Sequence, residues 1–513
     1  MDDKIIVSNR SVLTAKYRKA GLAKIEAAVT ALIAADKGRG IRSRLVYLDN
    51  AAAMKKMKGK AVTIAISPRQ NKEAIDAVFH ATDPEYLMIL GAPDVVPHQD
   101  LRNLMFQKDD DDDRFAYGDL PYASETAYSQ DTTKFKGPTR VVGRLPDLRA
   151  ADEPSYLLKL LKIASQYRAR DVADYARYFA MSTQSWQEST AMSLFNIFGN
   201  SDAMLLAPPT APPLPAKKFA ALAHFINCHG GSSDPEFAGE SASGKSQPVA
   251  MTSDSIKKKI KPGTVAAIEC CYGAELYESE TLSLPMPICQ RYLAQGAYGY
   301  FGSSTIAYGP PEGNGAADLI TQFFLLAVLE GASLGRAALM ARQRFVEEVA
   351  ELDPVDLKTL AQFNLLGDPS VHPARVATAT DTPKNADRED VQRLQRRERR
   401  AKLRVMGKFL QETKPTAARK EKAVRKSVNV RTALTNIARR AGIGGKKEFV
   451  AYSVNRPPAA RARNTKAAPA ATRYYIALGT PKGRRSDTLH FGVAAVAKEV
   501  SGRIVGYRIY TQR

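Results

Sequence analysis

Cysteine is scarce in this chain of 513 residues. There are four, Cys228, Cys270, Cys271 and Cys289, with no pair at CxxC spacing. That excludes a disulfide framework and leaves no zinc-site signature. One tryptophan and six histidines leave few places for indole or imidazole chemistry. No segment approaches the ~20 uninterrupted apolar residues that a membrane-spanning helix needs. The start, Met1-Asp2-Asp3-Lys4 running into Ile5-Ile6-Val7, lacks the basic-then-apolar pattern of a secretory leader. A reducing, cytoplasmic setting fits these absences, with no membrane contact, and no motif calls for a metal or cofactor.

What is present is enough for several packed cores. Hydrophobic residues make up 44% of the chain, and its length allows two to four domains. The formal net charge of +22 is unevenly spread, because 26 Lys and Arg stand against 8 Asp and Glu between residues 375 and 466. Any case for nucleic acid or an acidic partner is confined to that segment.

Residues 1–150 alternate strand and helix: strands at Ile5-Ile6-Val7, 44–48, 61–66 and 86–90, helices over 16–35 and 71–81. Residues 151–374 repeat the pattern in type, with strands at 177–181, 219–228, 264–269 and 297–302 and helices over 316–329 and 333–349. Alternation on this scale predicts a mostly parallel α/β sheet. Residues 375–472 read as a basic helical and disordered linker, with a charged helix over 387–409, and 473–513 as a small β-rich element. Asp109 to Asp113 are five consecutive carboxylates, expected as a solvated, self-repelling loop, with a calcium loop or an acidic pocket as alternatives.

Two stretches carry the chemistry. Phe225-Ile226-Asn227-Cys228-His229-Gly230-Gly231 and Val265-Ala266-Ala267-Ile268-Glu269-Cys270-Cys271-Tyr272-Gly273-Ala274 each read as a buried strand ending in a reactive side chain followed by glycine. Catalytic groups of open α/β sheets gather at the carboxyl ends of parallel strands. A histidine and a cysteine meeting there can act as base and thiol nucleophile. Gly230 and Gly231 leave the backbone open, so that the N–H of Gly230 and that of the nucleophile form a natural oxyanion pair. Strand alternation puts Cys270 and Cys271 on opposite faces, and spacing alone leaves either as the nucleophile. Cys228 and Cys289 read as packing residues.

These residues resemble the His-Gly and Cys signatures of the caspase-like (clan CD) cysteine peptidases, which include caspases, metacaspases, clostripain, gingipains and CHAT-domain proteases. Gingipains are most similar. The likeness extends to the strand Tyr86-Leu87-Met88-Ile89-Leu90 with its turn through Pro97, to Val142-Gly143-Arg144-Leu145-Pro146, to Gly302-Ser303-Ser304-Thr305 and to Leu366-Gly367-Asp368-Pro369-Ser370. It runs in order over about residues 4–373. It implies a caspase-like three-layer α/β sandwich of two subdomains, 1–150 and 151–374, with the dyad in the second. The usual apolar-polar-small-Cys pattern puts the nucleophile at Cys271, although an ungapped match to Cys-x-x-Gly-x-x-Leu-Tyr puts it at Cys270; Cys271 is taken, with His229 as base. A gingipain-like preference for arginine does not carry over, since the stretch Ser182-Thr183-Gln184-Ser185-Trp186 lacks the expected acid. Asp234, Glu236 and Glu240 are then the acidic candidates for a pocket taking a basic residue.

The expected function is a cytoplasmic cysteine endopeptidase acting on protein or peptide through a thioester acyl-enzyme. The alternative is a non-catalytic caspase-like scaffold whose segment 375–466 binds nucleic acid or an acidic partner. The same dyad also suits an acyltransferase with an amine acceptor.

Overall fold

The computed structural model describes residues 2–376, 387–422, 424, 426–444, 448–456, 471–481 and 492–513. Ten of its strands join one sheet. In chain order, the strands used below are β1 (Lys4–Ser8), β2 (Ser43–Tyr47), β3 (Tyr86–Leu90), β4 (Val141–Leu145), β5 (Tyr178–Thr183), β6 (Met204–Ala207), β7 (Ala223–Asn227), β8 (Val265–Ile268), β9 (Gly299–Ser303), β10 (Tyr308–Gly309), β11 (Phe363–Gly367), β12 (Thr416–Glu421), β13 (Val450–Asn455), β14 (Thr472–Gly479), β15 (Val493–Val500) and β16 (Arg503–Gln512). The large sheet runs β2-β1-β3-β4-β11-β9-β8-β7-β5-β6, and every neighbouring pair is parallel except β9 with β11.

Most of these strands are short apolar runs buried along their whole length, as a sheet covered on both faces requires. Helices α1 (Arg10–Gly38), α2 (Pro68–Thr82), α3 (Ser155–Gln166), α4 (Gln187–Phe198), α5 (Ile288–Ala294), α6 (Ala317–Leu329), α7 (Leu334–Glu348), α8 (Pro354–Gln362), α9 (Asp387–Thr413) and α10 (Val428–Arg440) supply the other layers. Residues of α1, α3 and α5 share one core, and those of α4, α6, α7 and α8 another. Helix α6 is apolar almost all round, so only a buried position suits it. Capping by Asp353 and Asp356 starts α8, and the Ser333 side chain starts α7. Among the described residues no helix is long and apolar enough to cross a membrane.

The two expected α/β halves are joined in one continuous sheet. Strand β11, late in the chain, lies between β4 of the first half and β9 of the second. Two of the motifs quoted above act at this seam. Arg144 is buried and grips Asp119 and the carbonyl oxygens of Gly91 and Val96, while Lys4 reaches both Asp36 and Asp368.

Residues 61–66 are a loop, not a strand. The Gln70 side chain accepts from the N–H groups of Thr63 and Ile64, and Ile64 and Ile66 face solvent, so β1 pairs directly with β2 and β3.

The segment read as a linker contains ordered elements. Strands β12 and β13 lie in a second, antiparallel sheet of order β10-β16-β15-β14-β13-β12. Strand β14 alternates: Tyr474, Ile476 and Leu478 join the core of α6 and α7, and Tyr475 and Ala477 pack under α10. Charge hid this in the sequence, because β12 is an edge strand carrying Arg419, Lys420 and Glu421. Helix α9 lies along the first half of the chain, where Arg400 pairs with Asp83, Arg404 with Glu125, and Arg396 donates to the Gly40 carbonyl. Several cations of the expected nucleic-acid surface are therefore paired within the chain. Residues 457–470, also expected as linker, and His490-Phe491, expected in a strand, lie outside the described residues.

Candidate active site

Strands β7 and β8 are parallel neighbours with Ile226 opposite Ile268. His229 and Cys271 each lie three residues beyond that pair, so both emerge at the same carboxyl edge. The chain turns at once after β7, and His229–Gly230 pair with Ala238 and Phe237.

Two backbone donors converge beyond these strand ends. The N–H of Cys271 and the N–H of Gly230 both donate to the backbone oxygen of Arg513, at 2.8 and 3.4 Å. Position 230 tolerates only glycine, because a Cβ would stand 2.0 Å from the Cys271 carbonyl oxygen. Gly231, also expected here, is buried and opens the loop that follows.

The two cysteines point to opposite faces. Cys270 belongs to the core of α1 and α5, where its sulfur accepts from the Cys228 N–H at 3.4 Å and burial pushes its thiol well above the ordinary range. Cys271 belongs to the other core and faces the approach to β10. Its sulfur accepts from the Ala307 N–H at 3.2 Å and lies 3.4 Å from the Ala307 carbonyl oxygen. Burial pushes this thiol up to about 12, with the Ala307 N–H pulling the other way. Cys228 and Cys289 are buried, Cys289 donating to the Glu275 carbonyl.

His229 is buried with its Nε2 3.5 Å from the Glu240 carboxylate. Its ring stands edge-on to Trp186 with centroids 4.3 Å apart. On its other contact the same indole carries the Arg513 guanidinium, whose Cζ is 4.5 Å from the ring.

That guanidinium fills a closed pocket. Nη2 donates to Asp318 and to the Pro310 carbonyl, both at 2.8 Å, and the Arg513 and Asp318 side chains have no solvent exposure. Glu269 lies beside Asp318 and accepts from the Thr321 hydroxyl. Burial pushes both carboxyls upward, and the Arg513 guanidinium opposes this most directly at Asp318, the carboxyl it contacts. A Cβ at Gly309 would lie 2.2 Å from Nε and Nη2 of Arg513, so glycine there opens the way into the pocket. The acid on the guanidinium is Asp318. Glu240 faces His229, and Asp234 accepts from the Glu236 N–H in its own turn. Asp318 was legible as an acid opening an otherwise apolar helix, and Trp186 as the chain's single tryptophan. Nothing in the sequence joins them to the strand ends.

Asp109 and Asp112 of the acidic run are exposed as expected, but Asp111 and Asp113 brace this site. Asp111 is fully buried and holds the Lys358 ammonium at 2.6 Å and the Tyr308 hydroxyl at 2.9 Å. Asp113 accepts from Lys358, from the Ile306 N–H and from the Tyr272 hydroxyl. The run therefore fixes residues 306–308, whose backbone contacts the Cys271 sulfur. Burial works against the Lys358 ammonium, but Asp111 and Asp113 outweigh it and hold its pKa above the usual value. Lys358→Met strands a buried carboxylate and should cost about 3–5 kcal/mol in urea unfolding. Combining it with Asp111→Asn should return part of that loss.

No family model matches the chain, and no curated protein matches it. Among solved structures, one described as "Structure of Protease" is similar at 13% identity and a TM-score of 0.44, covering 99% of this chain and 97% of that one. Two structures of the Saccharomyces cerevisiae separase–securin complex are similar at 14% and 13% identity, with TM-scores of 0.28 and 0.27. Each covers 45% of this chain, which spans 14% of theirs. At such scores the reading rests on the site's own geometry.

Proposed function

We propose that this protein is a cysteine peptidase of the caspase-like kind that cleaves after arginine, with Cys271 as nucleophile and His229 as base. One observation carries the reading: a backbone oxygen, that of Arg513, sits on the N–H groups of Gly230 and Cys271. Two convergent backbone donors on one oxygen, one of them from a cysteine, are what an oxyanion hole for acyl transfer consists of. The same residue puts its side chain against Asp318, which supports arginine at the position before the cleaved bond.

In this reading the Cys271 sulfur attacks the substrate carbonyl carbon as His229 takes the thiol proton. The oxyanion is held by the two N–H groups, the C–N bond breaks, and His229 protonates the leaving amine. Water, deprotonated by His229, then attacks the thioester carbonyl and frees the acid and the thiol. Glu240, buried beside Nε2, is suited to orient the imidazole.

The test is incubation with an arginyl acyloxymethyl ketone, followed by mass-spectrometric mapping of the adduct. A thioether on Cys271 that disappears in Cys271→Ala is the expected result. If Cys271 stays unmodified, both in the full chain and in a variant lacking residues 512–513, the reading is wrong.

A further inference from the structure

The candidate site is filled by its own chain. His229 and Cys271 are 3% and 1% exposed, and residues 511–513 run along β10 and past the backbone of Gly230, Cys271 and Ala307. Thr511 and Gln512 pair antiparallel with Gly309 and Tyr308, and the Arg513 N–H donates to the Ala307 carbonyl at 3.1 Å. An extended segment adding itself to a short strand edge, with one side chain in a deep pocket, is how sheets commonly recognise peptides.

Every part of the segment is engaged. The Arg513 backbone oxygen is on the oxyanion donors, its guanidinium is on Asp318, and the Gln512 side chain donates to the Asp110 carbonyl and the Tyr308 hydroxyl. The Thr511 hydroxyl reaches the Gly309 carbonyl. Strand β16 is also paired with β15 from Arg503 through Thr511, and the Gln512 N–H donates to the Gly492 carbonyl at 2.9 Å. Such tethering gives an effective concentration in the millimolar range, so even modest contacts keep the cleft filled.

We propose that residues 511–513 are a built-in substrate mimic: they close the cleft, and a substrate enters only when this segment withdraws from β10. The inference rests on the peptidase reading for its consequence, but the contact itself does not need turnover. The elevated thiol of Cys271 in the sealed state agrees with a resting form that does not react.

Two variants test it, Arg513→Gln and deletion of residues 512–513, each checked for folding by thermal melting. Losing a buried charged anchor should raise the rate of labelling by the arginyl acyloxymethyl ketone about 30-fold or more in the deletion variant. A synthetic peptide of residues 506–513 should suppress that gain. A second arm uses Cys271→Ala with and without the deletion, and a fluorescent form of the same peptide read by anisotropy. Binding to the deleted form and not to the full chain supports the plug even if no protein is ever labelled, in which case the peptidase reading falls alone. Folded variants that label at the rate of the full chain, or equal peptide binding by both forms, overturn the plug.

Discussion

Cys271→Ala should lower kcat/KM on an arginyl peptide substrate by on the order of 10⁴-fold, while Cys270→Ala leaves it within about threefold. The contrast follows from where each sulfur points. Cys271 contributes its N–H to the oxygen-binding pair and its thiol to the edge at Ala307, whereas Cys270 is packed in the core of α1 and α5. Removing a sulfur from that core affects stability more than chemistry, at about 1–2 kcal/mol. His229→Ala should fall as far as Cys271→Ala, and the two losses should not add, because base and nucleophile act in one step. Steady-state kinetics on the form lacking residues 512–513 gives the cleanest comparison. Equal losses in Cys270→Ala and Cys271→Ala would mean that the assignment by N–H geometry is mistaken.

Asp318→Asn should reduce kcat/KM for substrates with arginine before the cleaved bond by on the order of 10² to 10³, with little change for glutamine at that position. The carboxylate meets the guanidinium with no water between them, so its loss leaves a buried cation without a counter-charge. Glu269→Gln is the informative control. Burial and the neighbouring Asp318 push the Glu269 carboxyl well upward, and the ion pair of the guanidinium is with Asp318, so a neutral amide at 269 should shift the same ratio only a few-fold. A large loss in Glu269→Gln with a small one in Asp318→Asn would reverse the assignment. A peptide library profiled at the position before the cut reads both outcomes directly.

The strand ends were legible in the sequence because local pattern determines them. An apolar run buried on both faces, broken by Cys228-His229-Gly230 or by Cys270-Cys271-Tyr272-Gly273, places a side chain at a sheet edge without any distant information. The pocket was not legible. Asp318, Trp186, Gly309 and Arg513 come from four separate parts of the chain, and only the fold brings them together. The acidic run misled for a related reason: its counter-charge, Lys358, lies 245 or more residues away, so the sequence shows repulsion where the fold has pairing. Residues 416–421 were hidden by edge-strand charge. Ile64 and Ile66 gave the opposite error, since apolar residues in a loop held by Gln70 imitate a strand.

The lone tryptophan gives this molecule an optical reporter that needs no chemistry. Its indole lies between the imidazole of His229 and the guanidinium of Arg513, and is itself 1% exposed. Withdrawal of the arginine removes a cation from the ring and admits solvent to it, so the emission of the unlabelled protein should shift to longer wavelength. Every arrival and departure at the pocket can then be timed by fluorescence, with no background from a second indole.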